Sequence, residues 1–115
     1  PLRARFQAGD PAVLAAMLKF AALAALAREA ILQRDATRLS TLMDENFNTR
    51  RSICQLAPKH LEMIEVARRA GASAKFAGSG GAIVGTYSDE AMFERLKRDL
   101  GAIGCQVIKP ILDLP

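Results

Sequence analysis

Tryptophan is absent from the chain, and tyrosine and histidine occur once each. Aromatic residues make up only 5% of it. Phe76 and Tyr87 are too few to form an exposed base-stacking platform, so an RNA-binding sheet is not expected. Two cysteines, Cys54 and Cys105, cannot make a disulfide scaffold. With His60 as the lone histidine they give no zinc-ligand spacing, and no metal site is expected. No Gly-Lys-Ser or Gly-Lys-Thr ending follows any glycine run, which excludes a P-loop. No run of five like charges occurs, although the net charge is +4. Basic and acidic residues alternate, as in Glu94-Arg95-Leu96-Lys97-Arg98-Asp99, and this argues against a nucleic-acid partner.

What remains is 115 residues with half of them hydrophobic, a globular composition sufficient for one domain. The core must come from Ala, Leu, Ile, Val and Met, which suits packed helices. Ala12 to Ala27 is the longest apolar stretch, but it is short for a span, rich in alanine and interrupted by Lys19. No membrane span is expected there. Arg3, Arg5 and Asp10 ahead of it do not fit a signal peptide. Unpaired thiols and no targeting signal lead to an expected cytoplasmic location. The chain opens on Pro1 rather than Met, which points to a trimmed chain or to a piece of a longer polypeptide.

Asp10-Pro11 is a helix start, an N-cap followed by proline at the first helical position. The stripe Val13, Met17, Phe20, Ala24, Ala27, Ile31 predicts the buried face of a helix ending near Gln33. Asp35 can cap a second helix with the stripe Leu39, Met43, Asn46, Arg50, Ile53. Two of those positions are polar, which costs stability without a partner. Either the helix end turns toward solvent, or Asn46 and Arg50 face a cleft where a ligand is the partner. The pairs Arg50-Arg51 and Arg68-Arg69 have the same two readings, a solvated face or an anion contact. A third helix runs from Pro58 to Ala70 through Leu61, Ile64 and Val66, with Gly71 as its C-terminal cap. His60 in its first turn is read as a surface or capping residue.

The periodicity then changes. Residues 73–77 and 82–87 read as strands joined by Gly78-Ser79-Gly80-Gly81. Ser88 or Asp89 caps a last helix with the face Met92, Leu96, Leu100, and Cys105 to Lys109 reads as a final strand. Helices followed by one sheet define an α+β class. The β-β-α-β order is half of a ferredoxin-like plait of antiparallel strands packed with helices. Three glycines in four residues exceed what a hairpin turn requires. They imply close approach of a ligand or another backbone, or an anion-binding nest of N–H groups, unless the loop is simply a glycine-rich hairpin. Lys75 adds positive charge just upstream and is read as a strand-edge or loop-supporting residue.

The stretch Gly71-Ala72-Ser73-Ala74-Lys75-Phe76-Ala77-Gly78-Ser79-Gly80-Gly81-Ala82-Ile83-Val84 resembles the third signature motif of the GHMP kinases. Ala82 stands where a further glycine is usual, and no cysteine follows. Leu42-Met43-Asp44-Glu45-Asn46-Phe47 resembles a helix of the mevalonate kinase branch, and Glu65-Val66-Ala67-Arg68 resembles the helix entering the loop. With Arg3-Ala4-Arg5-Phe6, Gly9-Asp10 and Arg50-Arg51, the pattern is most similar to the plant-type glucuronokinase branch.

The resemblance implies residues 1–115 as a single C-terminal domain of a two-domain kinase. Such an enzyme transfers the γ-phosphoryl group of ATP, with Mg2+, to a hydroxyl of a small sugar or uronate. It also implies that ATP, Mg2+ and the catalytic residues are held mainly by an N-terminal domain, whose Gly-Ser-Ser phosphate loop is absent from this sequence. The chain alone is therefore expected to be inactive, with its own N-terminal kinase domain as partner. Gly78, Ser79, Gly80 and Gly81 would lie beside the phosphate loop and the substrate. Asn46, Arg50 and Arg51 are the substrate-binding candidates, with one arginine pairing a uronate carboxylate. The competing expectation is a stand-alone ferredoxin-like domain that binds or senses a metabolite.

Overall fold

The computed structural model describes residues 1–110, so the last five residues of the expected domain lie outside the described range. Five helices and one hairpin follow in the order α1 (Leu2–Gln7), α2 (Pro11–Leu32), α3 (Ala36–Ile53), α4 (Pro58–Arg69), β1 (Lys75–Phe76), β2 (Ile83–Val84) and α5 (Glu90–Gly101). The expected aspartates start three of the helices. Asp10 accepts from the Ala12 N–H at 3.0 Å, Asp35 from Arg38 at 3.0 Å, and Asp89 rather than Ser88 from Met92 at 2.8 Å. Arg5 Nε also donates to Asp10 at 2.9 Å, and this bond holds the Asp10 carboxyl below its usual range. The same guanidinium donates to the Ile53 carbonyl at 2.7 Å, which ties the unforeseen α1 to the end of α3.

Four helices close in the same way. Past the helix end an N–H reaches five residues back, Asp10 to Arg5, Asp35 to Ala30, Ala72 to Ala67 and Cys105 to Leu100. Each closure places the preceding residue at positive φ, namely Gly9, Arg34, Gly71 and Gly104. Arg34 is the one without glycine's freedom.

α3 is the shared wall. Leu42 packs toward α2 with Leu23 and Ala30, while Phe47 enters the larger core built with α4, the hairpin and α5. The expected single stripe on α3 falls between these two buried faces, so Leu39, Met43, Asn46 and Arg50 are only half-buried. On α2 the buried positions are Val13, Ala16, Leu23 and Ala30. The expected Met17, Ala24 and Ile31 are exposed instead, one residue (about 100°) out of phase. By length and composition alone α2 could cross a membrane, with a mean hydropathy of 1.6. In the structure it lies along α3.

The sheet is smaller than expected. Lys75 pairs with Val84 and Phe76 with Ile83, antiparallel. The ladder continues weakly through Ala77 N–H to Ala82 and Ser73 N–H to Thr86. The Ser73 and Thr86 hydroxyls bond each other at 2.6 Å. Gly85 lies where any Cβ would run into the Ser73 carbonyl, so the two chains can come this close only with glycine there.

The strand expected at Cys105–Lys109 is not formed, and among the described residues the sheet stops at two strands. The α+β class stands, but the described residues form only a two-stranded hairpin and not the expected ferredoxin-like plait. Cys105 N–H is used to close α5. Lys109 is drawn to Glu90, at 2.8 Å, and over the Phe93 ring, at 4.4 Å. Segment 106–110 and β2 consequently line a shared, largely apolar cavity of about 340 Å³ instead of pairing.

Candidate functional site

The glycine loop is closed at its base by the Ala77 N–H donating to the Ala82 carbonyl at 3.0 Å. Above that base, Arg50 reaches across from α3. Its Nη1 donates to the Gly78 carbonyl at 2.6 Å and its Nη2 to the Ser79 carbonyl at 3.1 Å. The guanidinium carbon sits 5.0 Å from the centre of the Phe76 ring, a cation–π contact. Phe76 is itself fixed edge-on by Phe47 at 5.3 Å and by His60 at 5.8 Å. His60 also lies under the far side of the loop. A Cβ at Gly80 would come within 2.8 Å of its Nδ1, and Gly80 has φ +137°. Steric room and backbone conformation both require glycine at that position.

The two braced carbonyls determine where the amides point. No cis peptide occurs among the described residues, and in a trans peptide the N–H is opposite the C=O. With the carbonyls of Gly78 and Ser79 turned to one guanidinium, the N–H groups of Ser79 and Gly80 are turned away from it. Neither N–H has a protein acceptor among the described residues. Two adjacent free donors suit an anion such as a phosphoryl oxygen. By contrast, no cluster of three His, Cys, Asp or Glu side chains that could hold a metal ion occurs among the described residues. The donor set here fits phosphate and does not fit Mg2+.

The remaining candidates occupy different surroundings. Asn46 is half-buried one turn before Arg50, and Arg51 is exposed. Neither has a hydrogen-bond partner among the described residues. Lys75 turns back to the Phe76 carbonyl at 3.1 Å, in keeping with a loop-supporting role. Arg68 is bound into a structural network. It donates to Asn48 Oδ1 at 2.9 Å and to the Asp44 carbonyl at 3.1 Å, and its face covers Phe47 at 5.1 Å. Arg68 Nε is 3.3 Å from Asp44 Oδ1, close enough for an ion pair but not aligned for a hydrogen bond. The same carboxylate oxygen accepts the Ala74 N–H at 2.9 Å. This network anchors the start of the hairpin to α3 and α4.

Two of these supports were not foreseen, the His60 platform and the Asp44 anchor. A histidine in a helix's first turn carries no spacing signal toward a loop twenty residues later. Asp44 did lie within the motif on α3, but its acceptor role depends on where the hairpin docks.

The family description "GHMP kinases C terminal" matches residues 27–104. A protein of Arabidopsis thaliana named "Probable glucuronokinase 2" is 45% identical over 87 residues, covering 72% of this chain and 24% of the relative. "Glucuronokinase 1" of the same plant is 42% identical over the same shares. The chain thus spans about a quarter of the length of the curated relatives it matches. No solved structure matches it. Since the family match runs from the last turns of α2 through the braced glycine loop to the end of α5, the chain belongs to the GHMP kinases.

Proposed function

We propose that this chain is the C-terminal part of an ATP-dependent sugar kinase whose acceptor is a uronic acid. The carrying observation is the braced loop, with the Ser79 and Gly80 N–H groups turned outward and unpartnered. Phosphoryl transfer depends mainly on positioning and on stabilising charge at the phosphoryl oxygens. Two fixed amide donors do both without reorganising during the reaction. ATP supplies the transferred group, and it is held together with Mg2+ by the rest of the kinase. Asn46 has side-chain groups to offer a sugar hydroxyl. Arg51, rather than the engaged Arg50, is the cation left to meet a carboxylate. The names of the two plant relatives support a glucuronate-like acceptor.

The same reading makes the N-terminal kinase domain the partner of this chain. That domain would cover Leu18, Ile31 and Leu32 on α2, which are 76%, 61% and 63% exposed. It would also bring the strands that complete the plait beside the hairpin. The chain alone then lacks catalysis.

The test is phosphoryl transfer from ATP by the full-length protein, with glucuronate and glucose as acceptors and residues 1–115 as a control. The expected result is a preference for the uronate of at least about tenfold, the scale of one charged hydrogen bond. The 115-residue chain should show no turnover. Equal rates on both sugars would remove the uronate assignment. No turnover on any sugar, with ligand binding retained by the short chain, would favour a metabolite-binding domain.

A further inference from the structure

We infer that Arg50 is a positioning residue that sets the direction of the phosphate-facing amides, and not a ligand of the sugar. This rests on the kinase reading above. Among the described residues nothing else hydrogen-bonds the middle of the loop, and His60 only packs beneath Gly80. Gly78 is exposed, and a Cβ built there would meet no atom within 4 Å. Arg50 alone bonds the carbonyls of Gly78 and Ser79, at 2.6 and 3.1 Å. A planar guanidinium can span two successive carbonyls with its fork of donors, whereas a lysine ammonium is a single point charge on a flexible stem.

The brace is itself fixed from beneath. Phe76 is 3% exposed and lies under the guanidinium, gripped by Phe47 and His60. The positive charge on the carbonyl side also polarises both peptide groups. This strengthens the Ser79 and Gly80 N–H groups as donors on the opposite side. One side chain therefore orients and sharpens two donors that it does not itself present to the ligand. It also explains why a polar residue stands on the half-buried edge of α3, since its partner is the loop backbone.

The experiment compares Arg50→Ala and Arg50→Lys in the full-length protein by steady-state kinetics and by amide order parameters of Ser79 and Gly80. In the wild type both amides should lie near the ~0.85 of rigid backbone, and in Arg50→Ala they should fall below about 0.6. Amides of α5 should be unchanged, which shows that the variant is folded. The kcat of Arg50→Ala should drop by about 10- to 100-fold, the worth of a charged hydrogen-bonded pair, with the KM for the uronate held within about twofold. Arg50→Lys should recover only part of kcat. Added guanidinium should restore part of the Arg50→Ala rate where sodium chloride at equal ionic strength does not.

The inference is overturned if the loop amides stay rigid in Arg50→Ala. It is equally overturned if the KM rises for a uronate but not for the neutral sugar while kcat holds, because Arg50 is then the carboxylate ligand. A wild-type protein without turnover removes the positioning role together with the kinase reading. In that case the order parameters still report separately whether the brace exists.

Discussion

The two sides of α3 are built on different principles. On one side, α2 offers 22 residues and fully buries four of them, two of which are alanines. On the other, α4 and α5 have 12 residues each, and with the hairpin they enclose Phe47, Ile64, Phe76, Leu96 and Leu100. On the first side Arg5 links the Asp10 cap of α2 to the Ile53 carbonyl at the end of α3. The second side has more polar ties. Asp44 holds the Ala74 amide, Arg95 caps the Ala70 carbonyl at 3.2 Å, and Ser73 bonds Thr86. The most apolar helix thus buries only four of its 22 residues, and the glycine loop is mounted on the side with aromatic packing and polar crosslinks. A loop that must hold two amides in fixed directions needs support that does not move. Small-residue contacts along one helix do not provide it.

The largest effect should come from removing the centre of the firm side. Phe47 is 1% exposed, meets Phe76 edge-on and lies under Arg68. Phe47→Ala should cost about 3–5 kcal/mol, by lost transfer energy plus the cavity left behind. Leu23→Ala on the α2 side should cost about 2 kcal/mol, the low end for leucine, because its neighbours are mainly α2 and α3 alone. Urea unfolding of the two variants measures both. Equal costs would show that the two sides form one cooperative core and would break the contrast.

A smaller effect separates packing from polar ties. Asp44→Ala leaves the Ala74 N–H without its acceptor, and Ala74 is fully buried. The expected loss is about 1–2 kcal/mol, the lower part of the range for an orphaned donor, because Asp44 itself is partly exposed. Asp44→Asn keeps an oxygen for the amide but drops the charge facing Arg68. It should lose less than Asp44→Ala. If both variants lose the same amount, the Arg68 pairing and not the Ala74 bond is what fastens the hairpin.

This contrast also governed what could be read from the sequence. Helix starts at Asp10, Asp35 and Asp89 were legible because caps are local chemistry. The α5 face was legible because Leu96 and Leu100 stand out against charged neighbours. On α2 the apolar residues go all the way round, so the pattern has no phase. Whether residue 16 or 17 faces α3 is decided by how close the two backbones can come, and alanine wins at positions 16 and 30. On α3 the residues of the single stripe fall between two buried faces, one toward α2 and one toward the larger core. The third strand failed for a similar reason. A strand exists only where an edge accepts it, and Cys105 and Lys109 are already committed to α5 and to the ring pair Tyr87–Phe93. At the site, the glycine loop was visible as composition. Its brace was not, because polarity at Arg50 marks an unmet need without naming the partner.

The smallest effect concerns strain, and it has the opposite sign. Four helices end with a residue at positive φ, and three of those residues are glycines. The exception is Arg34, at φ 55°, on the loosely packed side between α2 and α3. A non-glycine residue there costs about 1–2 kcal/mol relative to the right-handed region. Replacement by glycine removes that cost but gives the unfolded chain more freedom, which returns about 0.5–1 kcal/mol. Arg34→Gly should therefore stabilise the chain by about 0.5–1 kcal/mol, read as a rise in Tm of a few degrees for a domain this size. No partner holds the Arg34 side chain among the described residues, so little else should change. If Arg34→Gly leaves Tm unmoved, the α2–α3 side opens before the rest of the molecule and its strain is not felt in global unfolding. That outcome would make the contrast between the two sides sharper still.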